Sequence, residues 1–159
     1  MQARLNAASI SPEPMKKMMA MEMYLSGSGL EPSLKHLVKI RASQMNGCAY
    51  CIDMHTKDAR AEGETEQRIY ALNAWRETPF YSDRERAALA WTEAVTLVPQ
   101  GVSEAVYEEA REQFDEKELV DLTWAVASIN AWNRMAISFR AVPGSYQPMS
   151  SKHAAAAAL

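Results

Sequence analysis

An all-α fold, with a Cys-x-x-Cys pair at the N-terminus of a buried helix, is what this sequence predicts, and three observations carry the prediction. Six glycines and seven prolines are all that interrupt 159 residues dominated by Ala, Met, Leu, Glu and Arg, which are strong helix formers. Apolar residues recur at i, i+3, i+4 and i+7, the period of a helix. Serine or proline stands where the periodic segments begin and glycine where several end, the asymmetry of helix caps.

Residues 1–14 read as an N-terminal arm, 15–144 as a single helical domain and 145–159 as a flexible tail. Ser11-Pro12-Glu13-Pro14 starts the first helix, with Met15, Met18, Met19, Met23 and Leu25 at roughly helical spacing and Gly27-Ser28-Gly29 as its end. A methionine stripe of this kind suits adaptable core or subunit packing. Glu31-Pro32-Ser33 opens a second helix to about Met45, whose buried face is Leu34, Leu37, Val38, Arg41 and Met45. Asn46-Gly47 breaks it, because glycine readily takes positive φ. A third helix spans Cys48 to about Ala61, and a fourth spans Thr65 to Arg76 with Ile69, Leu72 and Trp75 on one face.

Ser82 and Glu85 match a capping box for a fifth helix, amphipathic through Leu89, Ala90, Ala94 and Leu97. Ser103 caps a short helix to about Gln113, and a long final helix runs from about Glu116 to Arg140, carrying Leu119, Leu122, Val126, Ile129, Trp132, Met135 and Ile137. Beyond Pro143-Gly144 the low-complexity run Ala154 to Ala158 reads as a short helix, a frayed end or a cloning remnant.

A formal net charge of −3 gives no reason to expect nucleic acid or an anionic membrane as partner. No apolar run approaches the roughly 18 residues of a membrane span, and the first residues lack the basic-then-apolar order of a secretory signal. A cytoplasmic location is the expectation. In a reducing compartment, a close pair of cysteines points to redox or metal chemistry more than to a structural staple.

Both cysteines and one of three histidines fall within Cys48-Ala49-Tyr50-Cys51-Ile52-Asp53-Met54-His55. On a helix, Cys48, Cys51 and His55 stand at i, i+3 and i+7 and share one face. A thiol in the first turn is stabilised as thiolate by unpaired N–H groups and the helix dipole, and an imidazolium beside it would lower its pKa further. By this argument Cys48, nearer the terminus, is the more nucleophilic. The neighbouring thiol can resolve a sulfenic acid into an intramolecular disulfide. Two other readings are weighed: a pair of packed, inert cysteines, and a zinc site with His55 third and His36 fourth. Zinc sites ordinarily draw their second ligand pair from a separate segment. Here no further cysteine exists, and His153 lies in the tail.

The phrase from Lys39 to Thr56, with Ala59-Arg60-Ala61-Glu62-Gly63, Arg84 to Trp91 and Asn130-Ala131-Trp132-Asn133-Arg134, resembles the alkylhydroperoxidase D-like (AhpD-like) branch of the carboxymuconolactone decarboxylase superfamily. The resemblance runs in order over roughly residues 30–140. It implies an AhpD-like helical domain assembling into trimers or hexamers, and a hydroperoxide peroxidase or disulfide reductase with no metal, haem or other cofactor. An external dithiol of the lipoyl or thioredoxin type would reset the pair. It also implies that Cys51 attacks the peroxide, that Cys48 resolves, and that His55 assists proton transfer through water. The family's peroxidase carries a glutamate twelve residues before the first cysteine; His36 stands there in this chain. A neutral imidazole can accept a proton in such a relay, and a cationic one would stabilise thiolate instead. Tyr50 occupies a position where the family can carry histidine; its phenol can donate a hydrogen bond or simply pack.

Other residues read more plainly. Trp75, Trp91, Trp124 and Trp132 are expected in core or interface, Asn133-Arg134 in a buried salt bridge or subunit contact, and Lys39 and Arg41 either in ion pairs or raising the potential near the thiols. Two alternatives to a peroxidase remain: a decarboxylase-like enzyme of the same superfamily, and a non-enzymatic redox-sensing assembly protein.

Overall fold

The structure, a computed structural model, describes residues 2–148. The described residues form eight α-helices and no strand: α1 (Ala7–Ile10), α2 (Pro12–Ser26), α3 (Pro32–Asn46), α4 (Ala49–Ala61), α5 (Glu66–Ala71), α6 (Asp83–Thr96), α7 (Glu104–Gln113) and α8 (Glu116–Phe139). The all-α fold is as the sequence predicts. His153 and the alanine run, with most of the expected tail, lie outside the described residues.

The helices begin where their caps stand. Pro12 and Pro32 occupy the first positions of α2 and α3, where a missing N–H costs nothing. Ser82 and Glu85 form the expected capping box of α6, Ser103 caps α7, and Asp115 with Glu118 makes a second box for α8. Ser11 precedes α2 without a side-chain capping bond.

Helix α3 is the axis of the fold, packing on α4, α6 and α8. Leu34, Leu37, Val38, Ile40, Ala42 and Ser43 are all buried, wider than the single stripe predicted. Each fully buried leucine contributes roughly 1.5–3 kcal/mol. One apolar cluster joins Leu34 and Val38 to Trp91, Phe114, Leu122 and Val126; another joins Leu37 and Ile40 to Leu72, Trp75 and Leu89. A third, around Ala42 and Ile129, contains both cysteines.

Three expectations are corrected. Arg41 is only half-buried, because its guanidinium needs an acceptor and finds Glu93 at 2.8 Å. The predicted helix from Thr65 to Arg76 tightens into a 3₁₀ turn over Leu72–Glu77, with a break at Ala74. That tightening brings Leu72 and Trp75, three apart, onto one line facing the core. The expected apolar face of α8 is only partly in the core: Trp132 is half-buried, Met135 and Ile137 are exposed and Trp124 stands half in solvent, while the buried positions beyond Ile129 are Asn130 and Asn133. Arg4 meets the end of this helix, its backbone N–H on the carbonyl of Phe139 and its guanidinium on that of Ser138.

Candidate active site

The junction between α3 and α4 sets the position of the first thiol. Gly47 takes φ +67°, its N–H donates to the carbonyl of Gln44, and the N–H of Cys48 donates to that of Ser43 at 2.9 Å. This pair of bonds is the Schellman ending of a helix. Cys48 then serves at once as the N-cap of α4. The sequence places Cys48 inside the first turn; the structure puts it one residue earlier, and Cys51 becomes the third helical residue. Cys48, Cys51, His55 and Ala59 are buried along one face, the shared face that the spacing predicts.

The two thiols are free, and their surroundings pull them apart. The Cys51 thiol donates to the Cys48 sulfur, and the backbone N–H groups of Cys51 and Tyr50 and the Asn133 side chain also favour its charge; against burial, these bring Cys48 down to about 7. Cys51, the donor in that bond, buried and next to the charge on Cys48, is pushed up. N-cap geometry explains the asymmetry: the open N–H groups of the first turn point at the residue that precedes the helix.

Asn133 is fully buried. It donates to Ser43 Oγ at 3.1 Å and accepts from Asn46 Nδ2 at 2.8 Å, so its amide is fixed beside both sulfurs. Among the described residues Arg134 makes no salt bridge; it bonds the carbonyl and side chain of Asn130.

A cavity of about 720 Å³ opens on this site, mostly apolar, with Met19, Leu5, Trp132 and Phe139 among its walls. Cys51, Tyr50 and His55 line it and Cys48 does not. Burial, the charges of Lys39 and His36, and only a partial offset from Glu22 lower His55 to about 3. His55 is therefore neutral near pH 7, a proton acceptor and not the imidazolium that would have stabilised a thiolate.

Glu22 of α2 is the site residue that sequence reasoning missed. It lines the cavity, accepts from Lys39 Nζ at 2.6 Å and from Trp132 Nε1 at 2.9 Å, and takes a third bond from Ser128. Burial opposes its ionisation, but the Lys39 charge and these donors together hold its carboxyl below the usual range. No short-range pattern pointed to it, because its partners lie on α3 and α8.

His36 does not line the cavity: its Nε2 lies 3.0 Å from Glu62 Oε2 at the far end of α4, and it reaches the site only through its charge on His55. The four ligands of the zinc alternative are thus not gathered, and no cluster of three or more metal-ligating side chains occurs among the described residues. No helix of the described residues is long and apolar enough to cross a membrane.

An all-α scaffold that holds a buried Cys-x-x-Cys pair at a helix start, with a histidine further along the same face, defines the AhpD-like class. The chain belongs to the carboxymuconolactone decarboxylase family, whose model matches residues 12–94. It is 51% identical over 139 residues to the uncharacterized protein YdfG of Bacillus subtilis, covering 87% of this chain and 95% of that one. The crystal structure of ATU0492 from Agrobacterium tumefaciens, a protein of unknown function with a suggested role as the antioxidant defence protein AhpD, superposes with a TM-score of 0.88 at 43% identity over 91% of this chain and all of that one. The debrominase Bmp8 superposes with a TM-score of 0.79 at 17% identity, over 86% of this chain and 74% of that one, a likeness of fold alone.

Proposed function

We propose that the protein is a thiol-dependent peroxidase and disulfide reductase that cycles Cys48 and Cys51 between dithiol and disulfide. The observation that carries this reading is the division between the two thiols: Cys48 is stabilised as thiolate, while Cys51 faces the cavity. In the resting pair one proton is shared, held by Cys51. Its transfer to Cys48 leaves Cys51 as the thiolate without changing the charge of the pair. The Cys51 sulfur attacks the distal oxygen of a hydroperoxide; the O–O bond breaks, Cys51 becomes a sulfenic acid and the alkoxide leaves. Neutral His55 relays protons between cavity water, the alkoxide and the thiol pair. Cys48 then attacks the sulfenic sulfur, forming the disulfide and releasing water. An external dithiol, lipoyl- or thioredoxin-type, restores the pair by two exchange steps and is itself oxidised.

Glu22 takes the carboxylate part of the relay, in place of His36. Its negative charge favours a proton on His55 against the opposing charge of Lys39. A cytoplasmic setting, where thiols are kept reduced, suits the cycle. Exposed Met23, Tyr24, Trp124, Met135 and Ile137 on α2 and α8 support association with further copies of the chain.

The test is turnover of an organic hydroperoxide with dihydrolipoamide as reductant. Cys51→Ser is expected to fall to background, and Cys48→Ser to accumulate a sulfenic acid on Cys51 that dimedone traps for mass spectrometry. A Cys51→Ser protein of undiminished rate would overturn the assignment.

A further inference from the structure

The outer edge of α4 carries groups that the dithiol cycle does not use. Asp53, Lys57 and Asp58 grip the segment that follows α8. The N–H of Gly144 donates to Asp53 Oδ2 at 2.9 Å, and Lys57, itself 3.0 Å from Asp53, donates to the carbonyls of Gly144 and Tyr146. The hydroxyl of Tyr146 donates to Asp58 Oδ1 at 2.7 Å. Backbone contacts alone would tie this segment down. The tyrosine hydroxyl does something else: it fixes a carboxylate on the cavity wall, where both side chains stand. With Oδ1 so engaged, Oδ2 faces Nδ1 of His55 at 3.9 Å.

We propose that Asp58 and Tyr146 are positioning residues for His55: the carboxylate, held by the tyrosine hydroxyl, selects the tautomer protonated at Nδ1 and leaves Nε2 as the proton acceptor. The inference rests on the reading of His55 as the proton-transfer group of the dithiol cycle.

A neutral imidazole has one N–H donor and one lone-pair acceptor, and its surroundings choose which nitrogen is which. Because His55 stays neutral down to about 3, that choice is made across the whole neutral range. The 3.9 Å separation is longer than a direct hydrogen bond, so the carboxylate acts by its field. A lone pair at Nδ1 would face a negative oxygen, whereas an N–H there faces it favourably. The other charged groups that act on His55 are Lys39 and His36 from α3 and Glu22 from α2. They bear on whether the ring is protonated, whereas the Asp58 carboxylate stands 3.9 Å from Nδ1 itself. Tyr146 keeps its proton, and so remains a donor: burial and the bond to Asp58 both raise it.

The experiment is long-range ¹H–¹⁵N correlation of the imidazole side chains at neutral pH, read beside hydroperoxide turnover. The wild type is expected to show His55 protonated at Nδ1. Asp58→Asn is expected to move population to the Nε2–H form and to lower kcat roughly tenfold, with Tyr146→Phe roughly threefold, KM changing little. Asp58→Glu, which keeps the charge, is expected to retain the Nδ1–H form. A wild-type ring protonated at Nε2, or a ring unchanged by Asp58→Asn, overturns the proposal, since a merely structural role would leave the tautomer alone. A tautomer that shifts while turnover does not supports the positioning and overturns instead the role given to His55. His55→Gln tests that role separately.

Discussion

The cavity has two walls built by different rules. On one side, Cys51, His55 and Asp58 come from a single helix at spacings of four and three residues. On the other, Glu22 and Trp132, joined by a 2.9 Å hydrogen bond, come from helices 110 residues apart in the chain. In the proposed cycle the α4 wall supplies the reacting atoms. The wall made by α2 and α8, with Lys39 of α3 behind it, adjusts their charge: Glu22 and Lys39 act in opposite senses on His55, and Asn133, packed behind the lining, favours thiolate at both sulfurs, on top of the larger effects of burial and of the Cys51 thiol on Cys48. The lesson is that local spacing can place a dithiol and give it its first-turn donors, while the balance of charge around it is completed by the assembled fold.

Among changes that leave both thiols in place, breaking the distant wall at Glu22 is expected to have the largest effect. Glu22→Gln removes the anion that pairs with Lys39 at 2.6 Å and that favours a proton on His55. Hydroperoxide turnover should fall by roughly 10–100-fold, the range of a weakened acid–base relay. Stability in urea should fall by about 1–3 kcal/mol, because the Lys39 ammonium is left part-buried and unpaired. A variant with normal turnover and lowered stability would reduce Glu22 to a packing role.

The same division explains what was legible in the sequence. Helix starts were, because Ser82, Ser103 and the prolines at 12 and 32 act on their immediate neighbours. The common face of Cys48, Cys51 and His55 was, because it needs only a helical period. Glu22 was not: a lone glutamate in a methionine-rich stretch reads as solvated until Lys39, Ser128 and Trp132 are folded around it. Asn133 was read as salt-bridge or subunit material, and its place beside the sulfurs depends on how α8 crosses α3. His36 shows the converse. Its sequence position matched a relay glutamate, but α3 turns it towards Glu62, outside the cavity lining.

Asn133→Ala tests the distant wall by charge. It strips a donor from both sulfurs and strands Asn46 and Ser43. Cys48 should then titrate above about 7, with iodoacetamide alkylation at neutral pH roughly threefold slower as the thiolate fraction drops. The pH–rate profile of alkylation checks this directly; an unmoved profile would leave the charge of Cys48 to the first turn of α4 alone.

The smallest effect is expected from breaking the near wall at its hinge. Gly47 sits at φ +67°, and a Cβ built there would meet nothing within 4 Å. The cost of Gly47→Ala is therefore backbone strain alone, about 1–2 kcal/mol for an L-residue in the left-handed region. Reduced freedom of the unfolded chain offsets it by roughly 0.4–1 kcal/mol. Net destabilisation near 1 kcal/mol should appear as a lower urea midpoint. The alkylation profile should stay close to that of the wild type, because the groups that favour the Cys48 thiolate belong to Tyr50, Cys51 and Asn133 and none to residue 47. Stability lost without a change in thiol titration at Gly47, against titration changed at Asn133, would separate the turn that places the thiols from the distant wall that adjusts their charge. If Gly47→Ala shifted the titration as far as Asn133→Ala, the turn itself would be setting the charge, and the two walls would act as one.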